Sequence, residues 1–199
     1  MCIGNWFYKK GIKYRDAGQV MRGIIDVVSK NGNVLLSIPV KADGTIDEAE
    51  QVIVDNIGRW FAVNAEAIHG TRPWLAFGEG PSIREDEADR PKGGIFFYRR
   101  VPYTPADLRF TAKGDTLYAF AMAWPIDGQL LIRSLAKGAN NLGGSVTSVS
   151  LLGSKEAFAY RQSADGLEVT LPANRPCEYA FVLKITGLTW PILRECQRP

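Results

Sequence analysis

The chain has 199 residues, a formal net charge of +3 and 46% hydrophobic residues. This composition predicts a globular protein with a substantial core, and it excludes a disordered chain. The sequence has no basic block and no apolar run of about 20 residues, so it predicts neither nucleic acid nor a membrane as a partner. The N-terminal stretch MCIGNWFYKKG lacks the pattern of a signal peptide, and the sequence assigns no compartment.

The cysteine and histidine content limits the chemistry. Cys2, Cys177 and Cys196 are far apart and form no CxxC pair, so we expect unpaired thiols. The single histidine, His69, argues against most metal sites and against Ser–His or Cys–His mechanisms. We therefore expect no metal and no cofactor. Any enzymatic chemistry would come from carboxylates, lysines or tyrosines.

The chain up to about residue 72 has the pattern of alternating helix and strand. Residues 17–30 carry apolar side chains at helical spacing, and Asn31-Gly32 can end that helix in a left-handed conformation. The apolar run NVLLSIPV, residues 33–40, predicts a parallel strand covered on both faces. A turn follows, and then a second helix. The order helix, strand, helix implies a parallel sheet.

The second helix has a predicted start signal. Asp47 and Glu50 have the spacing of a capping box, in which each side chain would bind a backbone amide. Apolar residues then recur at intervals of three and four as far as Asn64, so one face of this helix should be buried.

From about residue 73 the pattern changes to short strands with turn signals every 8–12 residues, which predicts an antiparallel β-sandwich. The charged stretch GEGPSIREDEADRPKGG, residues 78–94, is interpreted as an exposed loop. The domain boundary is placed near residues 69–74. The β-rich segments are DLRFTAKGDTLYAFAMAW, GQLLIRSLA, SVTSVSLLG, AFAYRQSADGLEVTLPA and EYAFVLKIT.

Several of these segments resemble one enzyme family. DVVSKNGNVLLSIPVKADGTID, IGRWFAVNAEAIHGTRPW and GEGP, followed by LRFTAKGDTLYAFAMAWP, SVSLLGS and GLEVTLP, are similar to the C-terminal part of α-L-fucosidases of glycoside hydrolase family 29. The resemblance implies an α+β fold in which a remnant of an α/β barrel precedes an antiparallel β-sandwich. It places the last barrel units at residues 1–72 and the sandwich at residues 73–186. The tail, residues 187–199, matches nothing in the family.

The resemblance also implies what this chain lacks. The family hydrolyses terminal α-L-fucosyl linkages of glycans with retention, using an aspartate nucleophile and an acid/base that is usually glutamate. Both would lie upstream of the segment matched by Met1, so we expect no catalytic residue in this chain and no activity by the chain alone. IGNWFYKK resembles the segment whose tryptophan packs against the apolar side of fucose, which maps onto Trp6. The alternative is an ordinary aromatic residue near a terminus.

The remaining polar candidates are each expected to have a structural role. Asp43 and Lys41 belong to a turn, and Asp47 and Glu50 serve the start of a helix. Glu66 and His69 could form a proton relay, but an interdomain hydrogen bond is preferred. The other carboxylates are expected in a solvated loop or in hairpin turns: Glu85, Asp86, Glu87, Asp89, Asp115 and Asp165.

Two further hypotheses remain open. The chain could be half of a split fucosidase, completed by a second chain that carries the N-terminal barrel strands, because the apolar strand at 33–39 would otherwise expose an edge. Without such a partner we expect a homo-oligomer or poor order in residues 1–30. In the other hypothesis, the sandwich is a stand-alone carbohydrate-binding or structural module, which a row of exposed aromatic residues would favour.

Overall fold

A computed structural model describes residues 1–83 and 102–191. Two antiparallel sheets form a sandwich, and two helices pack on the outer face of the larger sheet. The predicted combination of a helical part and an antiparallel sandwich is therefore confirmed. The elements are α1 Ala17–Ser29, α2 Glu48–Asn64, β1 Arg72–Glu79, β2 Leu108–Lys113, β3 Thr116–Ala121, β4 Gln129–Ile132, β5 Gly143–Leu151, β6 Tyr160–Gln162, β7 Leu167–Thr170 and β8 Phe181–Thr189.

The larger sheet has the strand order β1-β2-β3-β8-β5, and the smaller has the order β4-β7-β6. Alternation along β3 explains why both faces of the larger sheet are covered. Leu117 and Ala119 point into the core between the sheets, whereas Tyr118 and Phe120 pack under the helices. Trp60 of α2 is buried against this second face, and its indole Nε1 donates a hydrogen bond to the Ala180 carbonyl at 2.8 Å.

The apolar run at residues 33–40 does not form the strand that was predicted. Its regular pairing consists of one parallel bridge between Cys2 and Ser37. Leu35 is 78% exposed, so the run is not covered on both faces. The prediction was wrong because a strand needs neighbours for its backbone groups, and the described residues supply only a short one.

The first helix is bounded as its sequence indicates. Asp16 and Gln19 form a capping box at its start, and Asn31, just beyond its end, adopts a φ of 64°. In α2, Asp47 caps the helix by accepting from the Ala49 amide, but Glu50 does not complete a box. The predicted reciprocal bond from Glu50 is therefore wrong, because its side chain is buried instead.

Other boundaries also differ from the prediction. Strand β1 occupies Arg72–Glu79, where the sequence indicated only a domain junction and the start of a loop. Strand β8 continues to Thr189, so the first residues of the predicted tail belong to the sheet, and Trp190 packs edge-on against Trp74. Cys196 lies outside the described residues, so the prediction of unpaired thiols is not tested for it, and Cys177 is a free thiol among the described residues. Within residues 1–83 and 102–191, no helix is long and apolar enough to cross a membrane.

An ion pair between a fully buried arginine and a partly exposed aspartate joins α1 to the sheet. The Arg109 side chain is fully buried, and its Nε donates to Asp26 Oδ1 of α1 at 2.6 Å. Its other nitrogens donate to the Leu108 carbonyl and to Ser82 Oγ. These bonds fix the first helix against the outer face of the larger sheet, which positions the N-terminal segment described next.

A candidate substrate-binding loop

The first three residues run parallel to residues 35–37. The Ser37 amide donates to the Met1 carbonyl at 2.9 Å, and the terminal amine donates to the Leu35 carbonyl at 3.0 Å. Because the segments are parallel, the chain leaves both at the same end. In an α/β barrel the loops at the carboxyl ends of the parallel strands form the catalytic face. Residues that follow Ile3 and Ser37 are therefore the place to look for a site.

Residues 4–14 form a loop between Ile3 and α1. Its base is closed by a hydrogen bond from the Arg15 amide to the Ile3 carbonyl at 2.9 Å. Trp6 is 65% exposed and Phe7 is 63% exposed, so the structure places both rings on the surface of this loop. Trp6 is thus not a buried core aromatic, and its indole face is open to a ligand.

The exposed apolar side chains of residues 1–40 are grouped here as the open surface. They are Trp6, Phe7, Leu35, Ile38 and Val40. Large apolar side chains this exposed, in two adjacent segments, are typical of a surface that another polypeptide covers.

The turn carboxylate Asp43 has the structural role that was predicted. Its Oδ1 accepts hydrogen bonds from the amide of Thr45 at 2.9 Å and from the hydroxyl of Thr45 at 2.7 Å. The backbone bond, then the hydroxyl bond, hold the pKa of Asp43 below its usual value. Lys41 closes the same turn through its backbone, which bonds to Gly44 and Thr45.

A cluster of two carboxylates and two phenols joins the loop to the start of α2. Asp47 uses Oδ1 to cap the helix, and its Oδ2 accepts a long hydrogen bond of 3.4 Å from Tyr8. Burial and then the charge of Asp47 raise the pKa of Glu50. Burial raises the pKa of Tyr14 as well, with further contributions from Asp47, Glu50 and Tyr8, in that order.

Glu50 is the member of this cluster that the sequence did not reveal. The residue is fully buried, and neither carboxylate oxygen has a hydrogen-bond partner among the residues that the structure describes. Its position three residues after the helix cap made it look like part of a capping box. The signal that could have indicated burial is its spacing from Ile57 and Trp60, which places it near the buried face of the helix.

Glu66 joins the helical part to the sandwich, as the preferred interpretation predicted. Its Oε2 accepts from Tyr118 of β3 at 3.2 Å and from Lys184 of β8 at 2.9 Å. Burial and then the charge and hydrogen bond of Glu66 raise the pKa of Tyr118 to about 12. His69 stacks on Phe61 with ring centroids 5.6 Å apart, an arrangement that gives no support to the proton relay.

The other candidates are accounted for as follows. Trp60 and Trp74 are buried, while Trp124 packs on Phe181 with the Arg175 guanidinium over its ring. No group of three or more His, Cys, Asp or Glu suited to a metal ion occurs in residues 1–83 and 102–191. The acidic run Glu85, Asp86, Glu87 and Asp89 lies outside the described residues.

The sandwich offers little support for a carbohydrate-binding surface. Tyr160 is the exposed large aromatic residue in its described strands, and its hydroxyl donates to the Thr147 carbonyl at 2.9 Å. A groove of about 670 Å³ at one end of the sandwich is lined partly by Pro81, Pro105 and Pro125. None of its described lining residues is aromatic, so neither feature makes a row of stacking platforms within the described part of the sandwich.

Comparison with known proteins gives consistent matches. The family model described as alpha-L-fucosidase matches residues 1–66, and the model of the alpha-L-fucosidase C-terminal domain matches residues 102–186. Human tissue alpha-L-fucosidase is 25% identical over 192 residues, covering 92% of this chain and 35% of the human protein. The alpha-L-fucosidase of Branchiostoma floridae is 26% identical over 180 residues, covering 88% of this chain and 34% of that protein. The chain thus spans about a third of the length of these curated relatives.

Solved structures share the fold. Alpha-L-fucosidase isoenzyme 1 from Paenibacillus thiaminolyticus has a TM-score of 0.67 at 24% identity, covering 94% of this chain and 38% of that one. Thermotoga maritima alpha-fucosidase in complex with fucose has a TM-score of 0.65 at 22% identity, with coverage of 94% and 38%. A GH29 alpha-L-fucosidase from Bacteroides thetaiotaomicron, described as a trapped covalent intermediate, has a TM-score of 0.66 at 19% identity, with coverage of 95% and 37%. The described architecture corresponds to the helical barrel remnant and β-sandwich of such enzymes.

Proposed function

Because the chain belongs to the α-L-fucosidase family and corresponds to the C-terminal part of its members, we propose that it supplies the last barrel units and the sandwich of a retaining α-L-fucosidase. The complete enzyme would hydrolyse terminal α-L-fucosyl linkages of fucosylated glycans. The observation that carries this proposal is the succession of two family matches, to residues 1–66 and then to residues 102–186. The division into barrel units at residues 1–72 and sandwich at residues 73–186 follows the same order.

The chemistry would require a part of the enzyme beyond these 199 residues. A retaining glycosidase uses two carboxyl groups about 5 Å apart, one as nucleophile and one as acid/base. Asp43 and Asp47 are engaged in a turn and a helix cap, and Glu50 is sealed from solvent. The covalent intermediate described for the Bacteroides thetaiotaomicron relative supports a double displacement with retention. The chain by itself would therefore be inactive.

Trp6 would form one wall of the fucose pocket. Its exposed indole follows the parallel segment at residues 1–3, on the end where an α/β barrel has its catalytic loops. A flat apolar ring suits the side of the sugar that carries the C5 methyl group. Its contribution would be to substrate binding and orientation, because an indole neither accepts nor donates the protons that this hydrolysis transfers.

The remaining barrel would cover the open surface. Leu35 at 78% exposure and Val40 at 57% would lie against upstream barrel elements, supplied by a second polypeptide or by a longer form of this one. In the absence of that partner, the same residues would favour association of two copies of this chain.

The test is hydrolysis of a chromogenic α-L-fucoside. We expect no turnover by the purified 199-residue chain, and turnover when it replaces the corresponding C-terminal 38% of the Paenibacillus thiaminolyticus enzyme. In that chimera Trp6→Ala should raise KM by up to about tenfold, since an aromatic contact contributes roughly 0.5–1.5 kcal/mol. The exposed Val52→Ala is the matched control and should leave KM unchanged. Turnover by the chain alone would overturn the proposal.

A further inference from the structure

Glu50 is buried in a way that a carboxylate tolerates poorly. It is fully inaccessible, and neither of its oxygens receives a hydrogen bond from the described residues. An ionised carboxylate buried without a donor costs several kcal/mol, whereas its protonated form costs much less. The closed arrangement in the structure is therefore one that suits a neutral Glu50.

The groups around Glu50 make its ionisation harder, not easier. Asp47, on the same helix, adds a like charge. The groups that face this pair from loop 4–14 are the phenols of Tyr8 and Tyr14, and neither side chain supplies a positive charge. His69, the chain's single histidine, stacks on Phe61 near the far end of α2. The described surroundings thus contain no cation that bonds to the Glu50 carboxylate.

Loop 4–14 meets this cluster through the side chains of Tyr8 and Tyr14. Beyond the backbone bond at its base, its described hydrogen bonds to the rest of the molecule are the long one from Tyr8 to Asp47 and one of 3.7 Å from Cys2 Sγ to the Gly4 carbonyl. A bond of 3.4 Å is near the limit of a useful interaction. Tyr14, at the far end of the loop, packs against the core around α1, so the part of the loop with few described contacts is the Tyr8 end, which also carries the exposed Trp6. Opening at that end would hydrate Glu50.

We propose that Glu50 makes the closure of loop 4–14 acid-dependent: the loop is closed over a protonated Glu50 and opens when Glu50 ionises, which moves Trp6. The link from loop closure to fucose binding rests on the proposed function, whereas the closure itself does not. In the family context the device would couple the position of a substrate-contacting ring to pH.

The raised pKa of Glu50 determines how closure of the loop depends on pH. The pKa of Glu50 is raised above 4.5 in the closed state, and in the open, hydrated state it returns to about that value. The stabilisation of the closed loop is therefore complete below pH 4.5 and is lost as the pH rises through the closed-state pKa. Each unit of difference between the two states changes the open-to-closed ratio tenfold.

The experiment follows Trp6 directly, without substrate or partner. The full chain is labelled with 5-fluorotryptophan, and the Trp6 ¹⁹F resonance is identified by its loss in Trp6→Phe. Between pH 4 and 8 we expect this resonance to pass from a closed to an open signal, with a midpoint above 4.5. In Glu50→Gln the closed signal should persist, and the open fraction at pH 7 should fall at least fivefold. Asp43→Asn, in an exposed turn, is the matched control and should titrate like the wild type.

Two outcomes would overturn the proposal: a Trp6 resonance that does not change between pH 4 and 8, or the same transition in Glu50→Gln. Asp47→Asn provides an independent variant, because removing the neighbouring charge should lower the midpoint while keeping the transition. An unchanged midpoint in that variant would also contradict the proposal. An inactive fucosidase chimera would not change the expected ¹⁹F results, because they are measured on the chain alone. The two proposals are therefore tested independently.

Discussion

Arg109 places a full positive charge on the covered face of the larger sheet. Its Nε bonds to Asp26 at 2.6 Å, and the rings of Tyr103 and Phe77 lie within 6 Å of its guanidinium carbon. A guanidinium near aromatic rings gains cation–π attraction while its N–H groups make hydrogen bonds. Arg109 therefore holds α1 against the sheet by packing, as an apolar residue would, and its hydrogen bonds also fix the position of the helix.

Removing the Asp26 carboxylate should be expensive. Asp26→Ala takes away a carboxylate that bonds to a fully buried guanidinium at 2.6 Å, and breaking such a pair typically costs about 3–5 kcal/mol. The matched control is Arg161→Ala, which breaks an exposed pair with Glu168 and should cost less than about 1 kcal/mol. Urea unfolding of both variants measures the difference. Equal losses would mean that the buried pair contributes no more than a surface pair.

The raised pKa of Tyr118 predicts that the folded state loses stability at alkaline pH. Its pKa of about 12 lies above the ordinary value of 10, so the neutral phenol is stabilised in the folded state. That stabilisation is present below pH 10 and is lost as the pH rises from 10 to 12. Tyr118→Phe should lower stability at pH 7 by about 1 kcal/mol through the lost bond to Glu66, and it should remove part of the alkaline decline. Unfolding measured across this range, with phenolate absorbance recorded, distinguishes the two effects.

The two helix starts show what residue patterns predict and what they omit. Asp16 with Gln19 and Asp47 with Glu50 have the same spacing, yet only the first pair forms a capping box. Local geometry permits the box in both places. The difference is that the Glu50 side chain is buried, and burial depends on tertiary packing that a four-residue pattern does not contain.

At the scale of elements, a β-bulge interrupts the pairing of β5, the edge strand of the larger sheet, with β8. Pairing between β5 and β8 shifts register between Gly144 and Ser148, so three residues of β5 stand opposite Gly187. Gly187 has a φ of 94°, and a Cβ there would overlap the Ser145 carbonyl oxygen. A bulge of this kind bends an edge strand and makes it a poor template for pairing with another chain.

Two glycine-to-alanine substitutions should therefore change the free energy of unfolding in opposite directions. Gly187→Ala should destabilise the chain by about 2 kcal/mol or more, since both its φ and its surroundings exclude a side chain. Gly58→Ala, in α2, meets no atom within 4 Å and should stabilise it by about 0.5–1 kcal/mol. Thermal unfolding of the two variants tests the pair. A stabilising Gly187→Ala would show that the bulge is not required by the fold.

Most strands of the sandwich were predictable because their own residues alternate and their turns are local. The hairpin of β2 and β3 is an example, with Gly114 in the turn at a φ of 59°. Strand β1 was missed because Pro73 and Gly78 look like breakers, although the pairing with β2 tolerates them through a register shift. The prediction for residues 33–40 was wrong for the opposite reason. These residues suit a strand, but the segment beside them, residues 1–3, supplies only one bridge and no sheet.

At the scale of the whole molecule, the chain's exposed apolar side chains predict self-association. Leu35 is the most exposed member of the open surface, so Leu35→Lys should shift the chain toward monomer in sedimentation velocity without lowering its Tm. Ile126→Lys, at a still more exposed position on the sandwich, is the control and should leave the association unchanged. A wild-type chain that stays monomeric at high concentration would contradict the expectation.

The position of β8 has a consequence for how the protein is made. This strand is the last one described along the chain, yet it lies between β3 and β5 and contributes to both cores. During synthesis from the N-terminus, β5 has no place in the larger sheet, and Trp60 has no Ala180 carbonyl to bind, until residues 181–189 leave the ribosome. The apolar faces of the helices therefore stay partly exposed to solvent until β8 is made. A nascent chain stalled before residue 181 should be a preferred target for chaperones.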